Sequence, residues 1–303
     1  MNLLLTGGFR YTEDQIKDIQ HLGYNVFYME SEKFDLLPLS AKDIDAIVCN
    51  HFFLSHNFSD FPNLKIIQLL SAGLDRVPVE DIRNSGCALF NARGVYSIPM
   101  AEWVLFRVLE YFKKGVFFWD NQKKGRWIKH RGLREICGSS VAIIGAGNVG
   151  MEVAKRFNAL GARVDGFDVH TEKTQYFNNM RLTSTLNSEI KNYDIIIITA
   201  PLLPSTKGIV SRDILFSLKE NAILINISRG ELVDQESLCE VLDIRRDIFV
   251  ALDVFDSEPL SEDSVLWKLE NVAISPHNSF VSDRNNERMF NVMYHNLKKC
   301  IQN

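Results

Sequence analysis

The sequence contains few cysteines, few prolines and no long hydrophobic run. Of its 303 residues, 5 are cysteine and 8 are proline. The cysteines are widely spaced and form no Cys-x-x-Cys pair, which is typical of reduced thiols in a cytosolic protein. No apolar stretch approaches the ~20 residues that cross a bilayer, and the first residues lack the basic and apolar segments of a secretion signal. We therefore expect a cytoplasmic protein without a membrane partner.

Neither sign of charge dominates, and no metal-ligand spacing stands out. The chain has 34 Lys and Arg residues against 38 Asp and Glu residues, so its net charge is −4. Proteins that bind nucleic acid usually carry a basic surface, so no nucleic-acid partner is expected. The histidines are not spaced with cysteines or acids as metal ligands are, and His51 and His56 merely share a loop. We predict no metal site.

A glycine-rich turn in the middle of the chain is the most informative motif. Gly145, Gly147 and Gly150 follow the apolar run 141–144 in the pattern Gly-x-Gly-x-x-Gly, and an amphipathic helix is expected after them. In this pattern the first glycine makes the turn, the second lets the backbone approach a pyrophosphate, and the third lets helix and strand pack closely. The start of the helix also favours an anion. The motif predicts a dinucleotide cofactor, and a purely structural turn is the alternative.

An acidic residue after the next strand indicates which dinucleotide to expect. Asp168 ends the strand predicted at 163–167, and a carboxylate there accepts hydrogen bonds from the ribose hydroxyls, which favours NAD over NADP. No arginine follows Asp168 directly, but Lys173 lies near it and leaves tolerance of a 2′-phosphate open. The predicted cofactor residues at this turn are Gly145, Gly147, Asn148, Val149, Gly150 and Asp168.

Short apolar runs between turn residues predict strands along the whole chain. The alternation of these strands with helical patterns predicts an α/β fold: a Rossmann-type doubly wound parallel sheet, with a second, smaller flavodoxin-like α/β domain. The strands predicted in the smaller domain are 2–5, 25–29, 46–49, 65–70 and 88–90, and the six predicted in the Rossmann-type domain are 141–144, 163–167, 194–199, 222–227, 249–254 and 272–275.

Two domains are expected because the chain exceeds the usual size of one hydrophobic core. Since the glycine motif lies mid-chain, we predict an NAD-binding domain at 97–277, and a substrate domain made of 1–96 plus 278–303 that a last helix near 283–301 completes.

The region around residue 100 has two predicted features. A long helix should begin at Ser97, because Pro99 is tolerated in a first turn, and should end near Gly115. The segment 117–133 has no clear period and is expected to form an arm. One apolar face of the helix is predicted to carry Trp103, Phe106, Leu109, Phe112 and Val116.

Three polar residues follow successive strands of the Rossmann-type half. Arg229, Glu258 and His277 each come shortly after a predicted strand, at the edge where open α/β sheets bind ligands. An arginine can hold a carboxylate and polarise the neighbouring carbonyl, and a histidine paired with a glutamate can act as an acid near neutral pH. Each residue also has an ordinary alternative: Arg229 could cap a strand end or pair with Asp253, Glu258 could be a loop residue before a proline, and His277 could be a half-buried histidine with satisfied hydrogen bonds.

With these residues the chain resembles the D-2-hydroxyacid dehydrogenase family, and the likeness runs over nearly the whole chain. The residues that carry it are Leu70–Asp75, Ala101–Glu102, Gly125–Trp127, the glycine motif, Asn226–Asp234, Ala251–Phe255, Glu258–Leu260 and Ser275–His277. The resemblance implies NAD-dependent interconversion of a small 2-keto acid and its D-2-hydroxy acid, in a homodimer for which the long helix, Trp119 and Trp127 are candidate contacts.

The resemblance also implies roles for individual residues. Arg229, Glu258 and His277 would be catalytic, with His277 as the general acid and base. Backbone N–H groups around Ala72 and Gly73 would bind the substrate carboxylate, and Asp253 would contact the nicotinamide amide. Beyond the glycine turn, the implied cofactor residues are Ala200, Pro201, Thr206, Ile227, Ser228, Asp253 and His277, and the implied substrate residues are Ser71, Ala72, Gly73, Arg229 and His277.

Departures from the family pattern leave some points open. Phosphoglycerate enzymes carry an arginine after the third strand, where this chain has Asn50 and His51, so a phosphorylated substrate is less expected. Phe52 and Phe53 could line a side-chain pocket or belong to the core. A non-catalytic NAD-sensing protein of the corepressor type, on the same scaffold, remains the main alternative function, and a formate- or phosphite-type dehydrogenase is a further one.

Overall fold

The computed structural model describes residues 1–172 and 174–302, so Lys173 and its suggested effect on NADP lie outside the described residues. Contacts divide the chain into two compact units: Met1–Tyr96 with the chain from Ser282 onward, and Ser97–Val281. The functions predicted for 1–96 plus 278–303 and for 97–277 stay predictions.

The elements of the chain alternate between strands and helices. Up to residue 96 they are β1 (Asn2–Thr6), α1 (Glu13–His21), β2 (Asn25–Met29), β3 (Ala46–Cys49), β4 (Ile66–Leu69), α2 (Val79–Ser85) and β5 (Ala88–Phe90). From residue 97 they are α3 (Ser97–Phe112), α4 (Gly115–Lys123), β6 (Ser140–Ile144), α5 (Asn148–Ala159), β7 (Arg163–Asp168), β8 (Asn179–Leu182), α6 (Leu186–Glu189), β9 (Ile195–Ile198), α7 (Arg212–Ser217), β10 (Ile223–Asn226), α8 (Gln235–Ile244), β11 (Phe249–Leu252), β12 (Val272–Ile274) and α9 (Asn285–Gln302).

The first unit is built on a parallel five-stranded sheet in the order β2-β1-β3-β4-β5. This is the flavodoxin-like order, so that prediction is confirmed. β3 and β4 are buried along their whole length, as expected for strands covered on both faces. Helix α9 packs on one face through Met289, Met293 and Leu297. Phe52 is fully buried in the core on the other face, while Phe53 is half-buried.

The second unit contains a parallel seven-stranded sheet in the order β12-β11-β10-β9-β6-β7-β8. β6 lies where the strand order reverses, which is the doubly wound arrangement, and the Rossmann-type prediction is confirmed. The expectation of six strands in this half was wrong because β8 was missed. β8 lies at the edge of the sheet and buries none of its residues, so its sequence has no apolar pattern.

Two expectations for the region around α3 also need correction. The face of α3 that packs against α5 carries Ala101, Val104, Val108 and Phe112. Of the predicted apolar face, only Phe112 is fully buried, while Phe106, Leu109 and Val116 are 51%, 36% and 61% exposed. Ala101, Val104 and Val108 are small enough to let α3 and α5 pack closely at this face. The predicted arm is helical as far as Lys123, and α4 lacks a sequence period because it buries no residue.

Neither a membrane-spanning helix nor a group of metal ligands is found among the described residues. No helix among residues 1–172 and 174–302 is long and apolar enough to cross a membrane. In the same part of the chain, no three His, Cys, Asp or Glu side chains are grouped as metal ligands would be.

Candidate active site

The glycine turn between β6 and α5 is as tight as its sequence predicts. Gly145 has a φ of 100°, and a Cβ on it would lie 2.5 Å from Ala200 N. A Cβ on Gly150 would lie 2.2 Å from Gly145 O, so the start of α5 needs glycine to approach the strand. A Cβ on Gly147 would meet nothing within 4 Å. Of the three positions, Gly147 is therefore the one where the turn leaves open space.

The surroundings of this turn fit a dinucleotide. The N-cap of α5 is Gly147, and no side chain caps the helix, so the N–H groups of Asn148 and Val149 lie at a helix start that favours an anion. Asp168 stands at the end of the neighbouring strand β7, where it accepts hydrogen bonds from Ala146 N and Val169 N, both at 2.7 Å. The backbone thus fixes the carboxylate that is predicted to meet a ribose.

Thr199 is a residue of the turn that the sequence reading missed. Its hydroxyl donates to Gly145 O at 2.6 Å and would lie 3.1 Å from a Cβ on Gly150. It follows β9, which neighbours β6, and no glycine-type motif marks it. In the sequence, only its position at the end of a predicted strand could have indicated that Thr199 belongs to the site.

The loop after β9 is held by its own polar groups. The Thr206 hydroxyl donates to Pro201 O at 2.6 Å and accepts from Leu203 N at 2.8 Å. The Ser228 hydroxyl, which follows β10 and Ile227, donates to Ala200 O. Thr206 and Ser228 therefore position the loop, and their predicted contacts with a cofactor stay predictions.

The loop that carries Arg229 is held by β10 beneath it. Asn226, which is 1% exposed, donates to Arg229 O at 2.8 Å and accepts from Ser228 N at 3.1 Å. The Arg229 guanidinium donates through Nη1 to Ser228 O at 2.7 Å. This buried amide fixes the backbone from which the guanidinium extends.

Gly230 joins this loop to the next one. A Cβ on Gly230 would lie 2.0 Å from Phe255 C and 2.3 Å from Asp256 N, so only glycine permits this approach. The segment 255–256 leads directly to Glu258. The loops after β10 and β11 are therefore packed backbone to backbone, which sets Arg229 and Glu258 on adjoining segments.

The carboxyl group of Asp256, beside these loops, has a pKa above its ordinary value. Burial raises the pKa of Asp256, and the nearby charges of Glu231 and Asp234 raise it further, while Lys207 opposes them. Asp256 therefore keeps its proton to a higher pH than an ordinary aspartate does.

Glu258 and His277 form a hydrogen-bonded pair. His277 Nδ1 lies 2.7 Å from Glu258 Oε2, and the other carboxylate oxygen of Glu258 accepts from Phe255 N at 3.1 Å. The side chains of His277 and Glu258 are 34% and 36% exposed, so the pair reaches solvent. Because the carboxylate holds Nδ1, Nε2 is the ring nitrogen that can exchange a proton with a ligand.

Asp253 fixes the backbone on both sides of His277. His277 has a φ of 49°, in the left-handed region, and its N–H donates to Asp253 O at 2.7 Å. The Asp253 carboxylate is fully buried and accepts hydrogen bonds from the Ser275 hydroxyl, from Asn278 N at 2.8 Å and from Ser279 N at 2.9 Å. Asp253 thus orients the histidine, a role the sequence reading missed, and its predicted contact with nicotinamide stays a prediction.

A largely apolar cavity adjoins the pair. It has a volume of about 490 Å³. The Phe280 ring packs edge-on against His277 with centroids 5.9 Å apart. The residues that line the cavity are Phe255, Glu258, Pro259, Leu260, Trp267, Ile274, Pro276 and His277.

The predicted carboxylate-binding loop lies in the first unit, at the end of β4. The carbonyl oxygens of this loop are used by the protein: Ser71 O accepts from Ala92 N at 2.9 Å, and Ala72 O accepts from Asn91 Nδ2 at 2.7 Å. Among the hydrogen bonds of the described residues, none uses the N–H of Ala72 or Gly73. These two donors are therefore available to a ligand.

The chain matches a known family. Residues 105–279, more than half of the chain, match the family described as D-isomer specific 2-hydroxyacid dehydrogenase, NAD binding domain. The matched segment contains the glycine turn, Asp168, Arg229, Glu258 and His277.

Individual relatives align over most of the chain. A D-3-phosphoglycerate dehydrogenase of Methanocaldococcus jannaschii is 29% identical over 295 residues, which are 96% of this chain but 56% of the relative, so the chain spans about half of that protein. A hydroxypyruvate reductase of Thermotoga maritima is 30% identical over 223 residues, 71% of this chain and 70% of that protein.

A solved structure confirms the architecture. It is a D-isomer specific 2-hydroxyacid dehydrogenase from Xanthobacter autotrophicus Py2, in complex with NADPH and MES. It superposes with a TM-score of 0.77 at 24% identity and covers 98% of this chain and 95% of its own. At this identity the likeness shows the fold alone.

Proposed function

The chain belongs to the family of D-isomer specific 2-hydroxyacid dehydrogenases, and from that premise we propose that it interconverts a small 2-keto acid and its D-2-hydroxy acid by NAD-dependent hydride transfer. The observation that carries the proposal is the 2.7 Å contact between His277 Nδ1 and Glu258 Oε2, at the edge of a sheet that fits a dinucleotide. A paired imidazole at this edge supplies the proton that carbonyl reduction requires.

Each polar residue has a separate task in this reaction. The Arg229 guanidinium binds the substrate carboxylate and polarises the adjacent carbonyl. His277 Nε2 donates a proton to the carbonyl oxygen as it becomes a hydroxyl, and accepts that proton in the reverse direction. Glu258 stabilises the protonated ring and fixes its orientation, so Nε2 always carries the exchange. The nicotinamide cofactor supplies the hydride when it is bound.

We propose NAD as the cofactor, although the Xanthobacter relative was solved with NADPH. The support is Asp168, whose carboxylate is fixed by Ala146 N and Val169 N at the end of β7. A 2′-phosphate on the adenosine ribose would meet this negative charge, whereas a ribose hydroxyl donates a hydrogen bond to it.

The proposed substrates are small 2-keto acids, the class to which hydroxypyruvate belongs. The Ala72 and Gly73 N–H groups, which no protein acceptor uses among the described residues, are the proposed ligands of the substrate carboxylate. A non-catalytic NAD-sensing protein is not favoured, because the relatives carry the names of enzymes. A homodimer and a cytoplasmic location stay predictions.

A panel of keto acids tests this function. Purified protein with NADH is mixed in turn with pyruvate, glyoxylate, hydroxypyruvate, 2-ketoisocaproate and phenylpyruvate, and the loss of NADH absorbance is followed. We expect oxidation with at least one acid and, for every acid that reacts except glyoxylate, whose product glycolate is achiral, a product of D configuration on chiral chromatography. NADH without a keto acid is the control.

Two results would contradict the proposal. Protein that binds NADH by fluorescence but oxidises it with none of these acids would support the sensor. Reduction of NAD by formate or phosphite, without activity toward keto acids, would support the other dehydrogenase type.

A further inference from the structure

A glutamate side chain occupies anion-binding N–H groups at the carboxyl edge of the first sheet. Glu32 lies just beyond β2, and its Oε1 accepts hydrogen bonds from Asn50 N at 2.7 Å and from the Thr6 hydroxyl. Its Oε2 accepts from His51 N. Consecutive backbone N–H groups after a strand form a concavity that binds anions. Here the anion is the protein's own carboxylate.

The Glu32 carboxylate lies close to the proposed substrate loop. A Cβ on Gly8 would lie 2.9 Å from Leu70 Cδ1, 3.2 Å from Glu32 Oε1 and 3.3 Å from Asn50 Cβ, so these three side chains surround one point. Leu70 directly precedes Ser71. Cys49 pairs with Leu69 in the neighbouring strands β3 and β4, so Asn50 and His51, whose N–H groups hold the Glu32 carboxylate, adjoin the loop that carries Ala72 and Gly73.

Two other ionisable side chains, His51 and Arg76, lie at this end of the first sheet. Burial lowers the pKa of His51, Arg76 lowers it further and Glu32 opposes them, so the ring is uncharged at neutral pH. Arg76 donates from Nη1 to the side-chain oxygen Oδ1 of Asn50 at 3.3 Å, while the backbone N–H of Asn50 donates to Glu32. Arg76 is a cation that could attract an anionic ligand. A test of Glu32 must therefore distinguish this attraction from the repulsion by Glu32.

We propose that Glu32 determines substrate choice by rejecting a second anion, a specificity that rests on the proposed function. A phosphate, sulfonate or second carboxylate at the end of the substrate remote from its keto acid would meet the Glu32 carboxylate, and like charges in a partly buried site repel strongly. Three of the roughly four lone-pair directions of this carboxylate are used, and one can accept a hydrogen bond from a hydroxyl or amine.

The structure thus assigns to this site 2-keto acids whose side chain is neutral or donates a hydrogen bond. Hydroxypyruvate fits this description, and its 3-phospho derivative does not. The assigned substrate class agrees with the name of the Thermotoga relative, a hydroxypyruvate reductase, and not with that of the Methanocaldococcus relative, a D-3-phosphoglycerate dehydrogenase.

Steady-state kinetics with a matched set of substrates tests the role of Glu32. At saturating NADH, kcat/KM is measured for hydroxypyruvate, 3-phosphohydroxypyruvate and glyoxylate in the wild type, Glu32→Gln and Glu30→Gln. We expect the wild type to favour hydroxypyruvate over its phospho derivative by about tenfold or more, and Glu32→Gln to reduce that ratio by about tenfold, mainly through a lower KM for the phospho derivative. Glyoxylate, which has no side chain, serves as internal reference.

Glu30→Gln is the matched control because Glu30 accepts its hydrogen bond from the exposed Tyr28 hydroxyl instead of from the strand ends. It should retain the wild-type ratio. A wild type that prefers the phospho derivative, or a ratio that Glu32→Gln leaves unchanged, overturns the inference.

A salt titration of the wild type gives a second test that needs no variant. Salt screens repulsion and attraction alike, so the sign of its effect identifies the dominant charge. If Glu32 dominates, the KM for 3-phosphohydroxypyruvate falls relative to that for glyoxylate as salt rises. A relative KM that rises with salt means that Arg76 attracts the phosphate, and the inference is then wrong.

Binding measurements keep this inference distinct from the proposed function. If no keto acid is reduced, the proposed function fails, but the role of Glu32 can still be tested by calorimetry with D-glycerate and 3-phosphoglycerate. The inference is supported if Glu32→Gln gains affinity for 3-phosphoglycerate alone. Any other result contradicts it. If hydroxypyruvate is reduced but Glu32→Gln does not change the ratio of kcat/KM for hydroxypyruvate to that for its phospho derivative, only the inference fails.

Discussion

The two edges of the second sheet use their charged residues differently. At the amino edge, where strands begin, opposite charges pair: Lys219 donates to Asp194 at 2.6 Å, and Arg245 donates twice to Asp247, at 2.9 and 2.8 Å. At the carboxyl edge, Asp168 and Asp253 accept from backbone N–H groups, and Glu258 holds an imidazole. Mutual pairing neutralises the first edge, whereas backbone donors position the charges of the second edge.

This difference predicts a division of labour within one sheet. Ion pairs at the amino edge stabilise the fold, so their loss should lower the free energy of unfolding and leave turnover intact. Side chains at the carboxyl edge are the ones we propose to bind ligands and carry the chemistry, so their loss should lower activity with little effect on unfolding. Variants at the two edges can confirm or break this division.

The largest effect is expected for His277→Asn. Asparagine tolerates the left-handed backbone that His277 adopts at a φ of 49°, so the loop is retained while the proton donor is lost. We expect kcat/KM for keto-acid reduction to fall by about 10²- to 10⁴-fold, with NADH binding and the thermal midpoint unchanged. Undiminished turnover would remove His277 from its assigned role, and a large drop in thermal midpoint would break the comparison of the edges.

The next effect is expected for Asp168→Asn, which keeps an acceptor for Ala146 N but removes the negative charge. Without repulsion of the 2′-phosphate, the ratio of kcat/KM for NADPH to that for NADH should rise by about tenfold. Glu172→Gln, a change of the same chemistry four residues away, is the control and should keep the wild-type ratio. A ratio that stays the same in Asp168→Asn would contradict the assignment of NAD to this carboxylate.

At the amino edge, Asp247→Asn should lower stability without lowering turnover. The hydrogen bonds from Arg245 lower the pKa of Asp247 to about 2, against the opposing effect of burial. Allowing for partial solvent exposure, removal of the charge should cost about 1–2 kcal/mol of unfolding free energy at neutral pH, measured in urea.

The pH dependence of this effect has a defined sign. Because the folded protein lowers the pKa of Asp247, its stabilisation is present above the ordinary carboxyl pKa and is lost as the pH falls through about 2. The difference between wild type and Asp247→Asn should therefore shrink in acid. Equal unfolding curves at neutral pH would show that the pair does not stabilise the amino edge.

The smallest effect is expected for Arg246→Ala, one residue from Arg245. Arg246 pairs with Asp243, but the two side chains are 58% and 75% exposed. Exposed ion pairs contribute little, so the unfolding free energy should change by no more than about 0.5 kcal/mol. A loss as large as that of Asp247→Asn would mean that the number of charges, and not their burial, stabilises this edge.

The sequence predicted the parts of the fold that buried apolar runs encode. β3, β4, β9 and β10 are buried throughout, and each was found within two residues of its ends. β8 escaped because an exposed edge strand needs no apolar residues. The buried face of α3 was misassigned because Ala101, Val104 and Val108 lie on it, whereas Phe106 and Leu109 of the predicted face are exposed.

The candidate site was predictable in its chemistry but not in its geometry. The pattern of Gly145, Gly147 and Gly150 predicts the turn, and at Gly145 and Gly150 a Cβ would collide with neighbouring backbone. The contact between Glu258 and His277 depends on the approach at Gly230 and on the buried Asp253, which are tertiary features. Glu32 carries no motif, and only folding brings it onto the ends of β1 and β3.

Helix α9 belongs to the same compact unit as β1, although the whole second unit lies between them in the sequence. Met289, Met293 and Leu297 complete a core shared with Leu3 and Leu5, and Asn296 donates to the buried Gln68 at 2.8 Å. The ribosome therefore releases the first sheet long before its covering helix exists, whereas the second unit emerges as one continuous stretch. Part of the apolar face of the first sheet therefore stays exposed during synthesis until α9 follows the second unit.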